Sequence, residues 1–177
     1  MSVHGVAVAI PEPWGGLLQR AREEYGDPMA HAIPPHVTLL PPTDIPDDVL
    51  PGFCDHLAQV AAGHAPFVMQ LRGTGTFRPV SPVVFVQVAR GIPDCELLER
   101  AVRDGPVERY LEFPYHPHVT VAHALPDPAL DAAFAGLAHL EAVFEVGEVH
   151  LYDHGPDQVW RPCRAFSLTG EPPTPAS

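Results

Sequence analysis

HVTL at positions 36–39 recurs, with one conservative change, as HVTV at positions 118–121. In each copy a His and a Thr stand two residues apart, and on a β-strand such residues point to the same face, with Cα atoms about 6.5 Å apart. The branched apolar residue between them then faces the opposite side, toward a core. Two such strands facing one another would surround one small space with two imidazoles and two hydroxyls, which can hold a phosphate and move protons to and from it.

The order of predicted elements around the two copies indicates an internal duplication. Hydrophobic periodicity predicts β-α-β-α-β for the first half of the chain and β-α-β-α-β-β for the second. The offset of 82 between the motifs also carries Ile10-Pro11-Glu12 onto Ile92-Pro93-Asp94, and Pro46 onto Pro128. Coincidence among 23 prolines is the alternative, but the landmarks agree with the element order. We therefore expect two lobes related by a pseudo-two-fold axis, with the two His strands at the centre.

Three local predictions follow from turn and cap residues. The first His strand is predicted over residues 36–40, ended by Pro41-Pro42. Asp94 is predicted to cap a helix. Residues 143–152 and 158–168 are predicted to form a hairpin, because two apolar stretches flank a polar turn.

The length and the charge of the chain limit the classes of function that it can have. The 177 residues, 46% of them hydrophobic, predict a single domain over residues 1–170, followed by a disordered, Pro-rich tail at 171–177. The formal net charge is −12, and all ten basic residues are Arg. Affinity for long nucleic acid comes from neutralising phosphates, so an acidic chain without a basic stripe is poorly suited to it. We expect a nucleotide or a short RNA end as the ligand.

Cysteine usage and hydropathy predict the compartment. Cys54, Cys95 and Cys163 are widely spaced and form no C-x-x-C, which favours unpaired thiols in a reducing cytoplasm. The first ten residues lack the features of a signal peptide, and no apolar run approaches the ~20 residues of a membrane span. We expect a cytoplasmic monomer that does not bind membranes.

The two motifs supply the candidate site. Imidazoles suit proton transfer near neutral pH because their unperturbed pKa is ~6.5, so His36 and His118 are the candidate acid–base pair. Thr38 and Thr120 are the candidate phosphate donors. Further candidates to contact a substrate are the aromatic residues Tyr115, Phe77 and Phe113, which could stack a base, and the cations Arg78 and Arg161, which could bind a terminal phosphate.

Two other function classes stay open at this point. His116 and His118, also two residues apart, could ligate a metal ion together with His123 or Asp153, in a metal-dependent phosphohydrolase. That site would leave His36 and Thr38 without a role. The chain could also be a non-catalytic module that binds nucleotides or a protein, although its retention of both His and both Thr argues against this.

The paired motifs resemble the H-x-T/S-x motifs of the 2H phosphoesterase superfamily, and the chain looks most like its 2′-5′ RNA ligase-like branch. GTGTFRPVSPVVFVQV at 73–88 resembles the segment that this branch carries between its motifs. YHPHVTVA at 115–122 resembles the aromatic-x-x-His lead into the second motif. The resemblance covers residues 3–168.

This resemblance implies an α+β, bilobal, pseudo-two-fold duplicated fold, in which two antiparallel sheets flank a central trough and helices lie outside. It implies hydrolysis of 2′,3′-cyclic phosphate ends to 2′-phosphates without a metal or other cofactor, with 2′-5′ ligation as the reverse reaction. It further implies that His36 protonates the departing 3′ oxygen and that His118 accepts a proton from water.

Overall fold

Eight strands and four helices lie along residues 2–172, the part of the chain that the computed structural model describes. Of the predicted tail, residues 173–177 lie outside this part. The strands are β1 Ser2–Ala9, β2 His36–Ile45, β3 Phe67–Thr76, β4 Val83–Arg90, β5 His118–His123, β6 Glu141–Val146, β7 Glu148–His154 and β8 Trp160–Ser167. The helices are α1 Trp14–Glu24, α2 Leu50–Gly63, α3 Ile92–Arg103 and α4 Asp127–Gly136. Among the described residues, no helix is long and apolar enough to cross a membrane.

Two antiparallel four-stranded sheets carry the two motifs on equivalent strands. One sheet has the order β2-β1-β7-β8 and the other β5-β4-β3-β6, so each motif begins an outer strand. β2 and β5 lie next to each other, and helix α3 packs near β2 as α1 packs near β5. The predicted α+β fold, duplicated about a pseudo-two-fold axis, is confirmed. The space that the His and Thr side chains of β2 and β5 face is called the trough below.

The sheets do not correspond to the two halves of the sequence. β3, from the first half, pairs with β4, and β7, from the second half, pairs with β1. The predicted hairpin is correct only for β7 and β8, because β6 pairs with β3 in the other sheet. The chain changes sheet at Gly147, between two strands with similar alternation. The alternation of apolar residues indicates which residues are buried, but it does not indicate which sheet buries them.

The first motif strand is longer than predicted. β2 continues through Pro41-Pro42 to Ile45. Prolines are tolerated there because β2 is an outer strand, and a missing N–H on its unpaired side breaks no ladder bond. The pairing of β1 with β2 is irregular at this point, with Val6 opposite Leu40 and His4 opposite Thr43.

The duplication holds in element order but not at a constant offset. Helices α1 and α3 begin at Trp14 and Ile92, an offset of 78, whereas the motifs are 82 residues apart. The predicted cap Asp94 therefore lies inside the first turn of α3, and Gly91 occupies the N-cap position with no side-chain hydrogen bond. The difference of four residues arises because the second loop between helix and motif is three residues longer than the first and α3 is one residue longer than α1.

The two faces of the motif strands separate as predicted. Val37, Leu39, Val119 and Val121 are buried in the core cluster, whereas the His and Thr of both motifs are half-buried. This alternation directs the imidazoles and hydroxyls toward the trough.

Candidate active site

The two motif imidazoles are held by the same local hydrogen bond. His36 Nδ1–H donates to the Pro34 carbonyl at 2.7 Å, and His118 Nδ1–H donates to the His116 carbonyl at 2.6 Å. Because a carbonyl oxygen can only accept, each neutral ring carries its proton on Nδ1 and leaves Nε2 as an acceptor. In both motifs the carbonyl belongs to the residue before a proline, which favours an extended conformation. This shared proline is the sequence signal for the arrangement.

The two threonines differ in their surroundings. Thr38 Oγ1–H donates to His36 Nε2 at 3.1 Å. Within residues 2–172, the Thr120 hydroxyl has no hydrogen-bond partner. Thr38 lies opposite Ala7 on β1, whereas Thr120 lies opposite Phe85 on β4. The cross-strand neighbour of Thr38 is therefore a small residue, and that of Thr120 is an aromatic ring.

Tyr115 links the two motifs. Its hydroxyl donates to the Thr38 carbonyl at 2.9 Å, and its ring packs half-buried against the core. The segment that precedes the second motif is therefore hydrogen-bonded to the strand that carries the first motif. Contact between Tyr115 and a substrate stays a prediction.

Aromatic rings cover both imidazoles. Trp160 stacks on His36 with ring centroids 4.7 Å apart and planes inclined by 25°. Phe77 and Phe85 lie 5.0 and 5.2 Å from His118. The structure thus brings the predicted Phe77 to the site, and it adds Trp160 and Phe85, which sequence reasoning missed.

Glycine makes room for one of these rings. A Cβ on Gly75 would lie 2.6 Å from the Phe85 ring, closer than real Cβ contacts allow. Gly75 belongs to the segment Gly73-Thr74-Gly75, which adjoins a register shift between Leu71 and Thr74 in the pairing of β3 with β4. The two glycines of this segment were the sequence signal for a bulky neighbour, although they did not identify that neighbour.

Both imidazoles are biased toward the neutral form. Burial, which is the largest cause, and the charges of Arg22 and His118 together lower the pKa of His36 to about 4, against the opposing effect of the bond to the Pro34 carbonyl. Burial also lowers the pKa of His118, as does the charge of His116, while the bond to the His116 carbonyl opposes the shift. At neutral pH both free rings are therefore able to accept a proton on Nε2.

Carboxylates already pair with both candidate phosphate-binding arginines. Arg78 contacts Asp131 at 2.9 Å and Asp127 at 3.5 Å, both on α4. Arg161 forms two hydrogen bonds with Asp157 at 3.0 and 2.7 Å in the turn before β8. Their role toward a phosphate stays a prediction. Phe113 is 60% exposed and lines a cleft beside α3.

The alternative metal site does not assemble in the described part of the chain. His123 ends the strand that His118 begins, about 16 Å away along an extended backbone, and Asp153 belongs to the other sheet. Across residues 2–172, no three His, Cys, Asp or Glu side chains cluster as metal ligands would.

The separated faces of the motif strands lead to a first prediction. Val37→Ala or Val119→Ala should lower the free energy of unfolding by about 1–3 kcal/mol, because each truncates a fully buried side chain. Thr38→Ala and Thr120→Ala should leave stability nearly unchanged and weaken turnover about ten- to a hundredfold, the effect of one lost hydrogen bond to a charged group. Thermal unfolding and steady-state kinetics of the four variants provide the measurement. Unfolded Thr variants beside stable Val variants would reverse the assignment of the faces.

The fold and the site define a class of protein. A duplicated α+β fold that presents a His and a Thr on each of two adjacent outer strands is that of the 2H phosphoesterases. The chain belongs to the 2′-5′ RNA ligase superfamily, whose family model matches residues 10–158.

Known relatives extend over nearly the whole chain. A protein from Halalkalibacterium halodurans, provisionally named a phosphoesterase, is 28% identical over 173 residues, which are 95% of this chain and 98% of the relative. The crystal structure of TT0787 from Thermus thermophilus is 25% identical, with a TM-score of 0.66 over 96% of this chain and 99% of that one. Escherichia coli LigT, crystallised with 3′-AMP, is 18% identical with a TM-score of 0.59 over 95% and 98% of the chains, a likeness of fold alone.

Proposed function

We propose that this protein is a phosphodiesterase that hydrolyses 2′,3′-cyclic phosphates of small nucleotides or short RNA ends to 2′-phosphates, without a metal ion. The observation that carries the proposal is the matched pair of imidazoles. Each donates its Nδ1 proton to a carbonyl and presents Nε2, which in His36 accepts from the Thr38 hydroxyl, as the nitrogen for proton transfer on two neighbouring strands.

The reaction needs one proton acceptor and one proton donor. His118 Nε2 takes a proton from water, whose oxygen attacks phosphorus, and His36 Nε2 gives a proton to the 3′ oxygen as its bond to phosphorus breaks. Each transfer contributes about 10²–10⁴-fold to the rate. Thr38 and Thr120 donate to the non-bridging oxygens, at about 1.5–3 kcal/mol for each such bond.

The acid must gain its proton when the substrate binds. His36 is neutral in the free protein at neutral pH, because its pKa is about 4. A cyclic phosphate brings a negative charge into the trough, and a nearby opposite charge favours the protonated imidazole. Binding of the anion therefore prepares His36 to act as the acid.

A small substrate suits this chain better than a long one. The net charge of −12 disfavours a long polyanion, and Asp residues already pair with Arg78 and Arg161. E. coli LigT has been crystallised with 3′-AMP, ATP and NADP+, all nucleotides. By analogy, Phe77 beside His118 offers a ring against which a base can pack.

A chelator experiment tests this function. Hydrolysis of 2′,3′-cyclic mononucleotides and short oligonucleotides to 2′-phosphates should be unchanged in excess EDTA, because the two imidazoles and two hydroxyls carry the whole reaction. Product identity separates a 2′-phosphate from a 3′-phosphate, and the double variant His36→Ala/His118→Ala is the control.

Other outcomes would favour the other classes. Loss of activity in EDTA with rescue by Zn²⁺ or Mn²⁺ would favour a metal-dependent phosphohydrolase using His116 and His118. Nucleotide binding without turnover would favour a non-catalytic module.

A further inference from the structure

A buried ion pair lies in the segment before the first motif, and neither of its side chains transfers a proton or binds the phosphate in the proposed reaction. Arg22 and Asp27 are only 3% and 4% exposed. Arg22 donates from Nε and Nη2 to the same carboxylate oxygen, at 3.1 and 2.8 Å. Replacing such a pair by apolar residues of similar volume is often neutral or stabilising, so stability alone does not explain why the pair is there.

The pair holds the loop that leads into β2. Arg22 has a further donor, Nη1, which bonds the Ile33 carbonyl at 3.2 Å. The second oxygen of Asp27 accepts from the Met29 amide at 2.9 Å. One ion pair thus fixes the beginning of the loop between α1 and β2 and a point three residues before His36.

This loop contacts the imidazole of His36 by two routes. The Pro34 carbonyl accepts the His36 Nδ1 proton. The Ala32 carbonyl accepts from the Trp160 amide at 2.8 Å, and the Trp160 ring stacks on His36. Ile33 packs against the small cluster that contains Trp160. The Pro34 carbonyl, which fixes the tautomer of His36, and the Trp160 ring, which fixes the plane of its imidazole, therefore both depend on the loop.

We propose that Arg22 and Asp27 are positioning residues, which fix the Nδ1–H tautomer and the orientation of His36 through the loop they hold. The consequence for catalysis rests on the proposed function, whereas the effect on the ring does not. A misplacement of about 1 Å of a reacting group is enough to cost about 10²-fold in rate.

A second ion pair, on helix α3, serves as the control. In α3, buried Glu99 pairs with Arg103, again a carboxylate and a guanidinium. Among the described residues these two side chains bond only each other and not the loop that precedes β5. Disturbing this pair should therefore alter stability without altering His36.

The experiment compares Arg22→Met/Asp27→Leu with Glu99→Gln. The apolar double variant should stay folded, with kcat on a 2′,3′-cyclic mononucleotide about 10²-fold lower and KM little changed. In ¹⁵N NMR of the imidazoles, wild type should show His36 as the Nδ1–H tautomer, and the double variant should show a mixture. Glu99→Gln should keep the wild-type kcat and the wild-type His36 signals.

A conservative variant covers the case in which the double variant fails to fold. Arg22→Lys keeps the charge but loses the planar fork that binds Asp27 and Ile33 together, so His36 signals should shift part of the way. Wild-type His36 signals in a folded Arg22→Lys or double variant would overturn the proposal. If wild type itself hydrolyses no cyclic phosphate, the proposed function fails, and the NMR comparison still decides whether the pair positions the ring.

Discussion

Replacing either motif histidine by alanine is expected to lower kcat for a 2′,3′-cyclic mononucleotide by about 10²–10⁴-fold, the usual contribution of one positioned acid or base. Both side chains are half-buried at the trough rather than in the core, so the variants should stay folded. Steady-state kinetics beside thermal unfolding provide the measurement. His139→Ala, at an exposed position outside the trough strands, is the matched control and should behave as wild type.

A modified substrate separates the two roles. A 3′-phosphorothiolate has a better leaving group and needs less help from an acid. It should restore much of the activity of His36→Ala and hardly any of His118→Ala, because His36 is proposed to protonate the departing atom. Rescue of His118→Ala alone would exchange the roles and leave the two-histidine mechanism standing.

The second large effect is expected in the pH dependence of kcat/KM, which reports the free enzyme. The active form carries one proton on the pair of imidazoles, whichever ring holds it. The pKa of His36 is about 4, and burial lowers that of His118 below its ordinary value of 6.5. Below about pH 4 both rings are protonated, and above the higher apparent pKa both are neutral. We expect a bell-shaped profile of kcat/KM, with an acid limb near pH 4 and a basic limb below pH 6.5. Beyond each limb, kcat/KM should fall about tenfold per pH unit.

The profile of kcat should differ from that of kcat/KM. The bound anionic phosphate raises the pKa of both imidazoles, so the basic limb of kcat should lie at higher pH. Thr120→Ala removes a hydroxyl and no group that titrates in this range, so it should lower both curves without moving their limbs. A maximum of kcat/KM at neutral or alkaline pH would contradict the lowered pKa of His118, which sets the basic limb.

The sequence determined the parts of this protein that depend on local geometry. Alternation on a strand is a property of neighbouring residues, so H-x-T could be assigned to one face, with Val37 and Val119 on the other. The proline that precedes each His likewise acts on its immediate neighbour and gives both rings the same carbonyl contact. The repeat of the motif, with the order of the elements around it, determined the duplicated fold.

Only the tertiary structure decided what surrounds those local units. Trp160 reaches His36 from a strand more than a hundred residues later, and the exchange of strands at Gly147 depends on which sheet has an unpaired edge. The partners of Arg78 are carboxylates on α4 that folding brings within reach, so its charge could not be assigned from the sequence. The physical reason is common to all of these: hydrogen bonds, stacking and ion pairs between distant segments are set by packing of whole elements, which leaves no periodic trace in the chain.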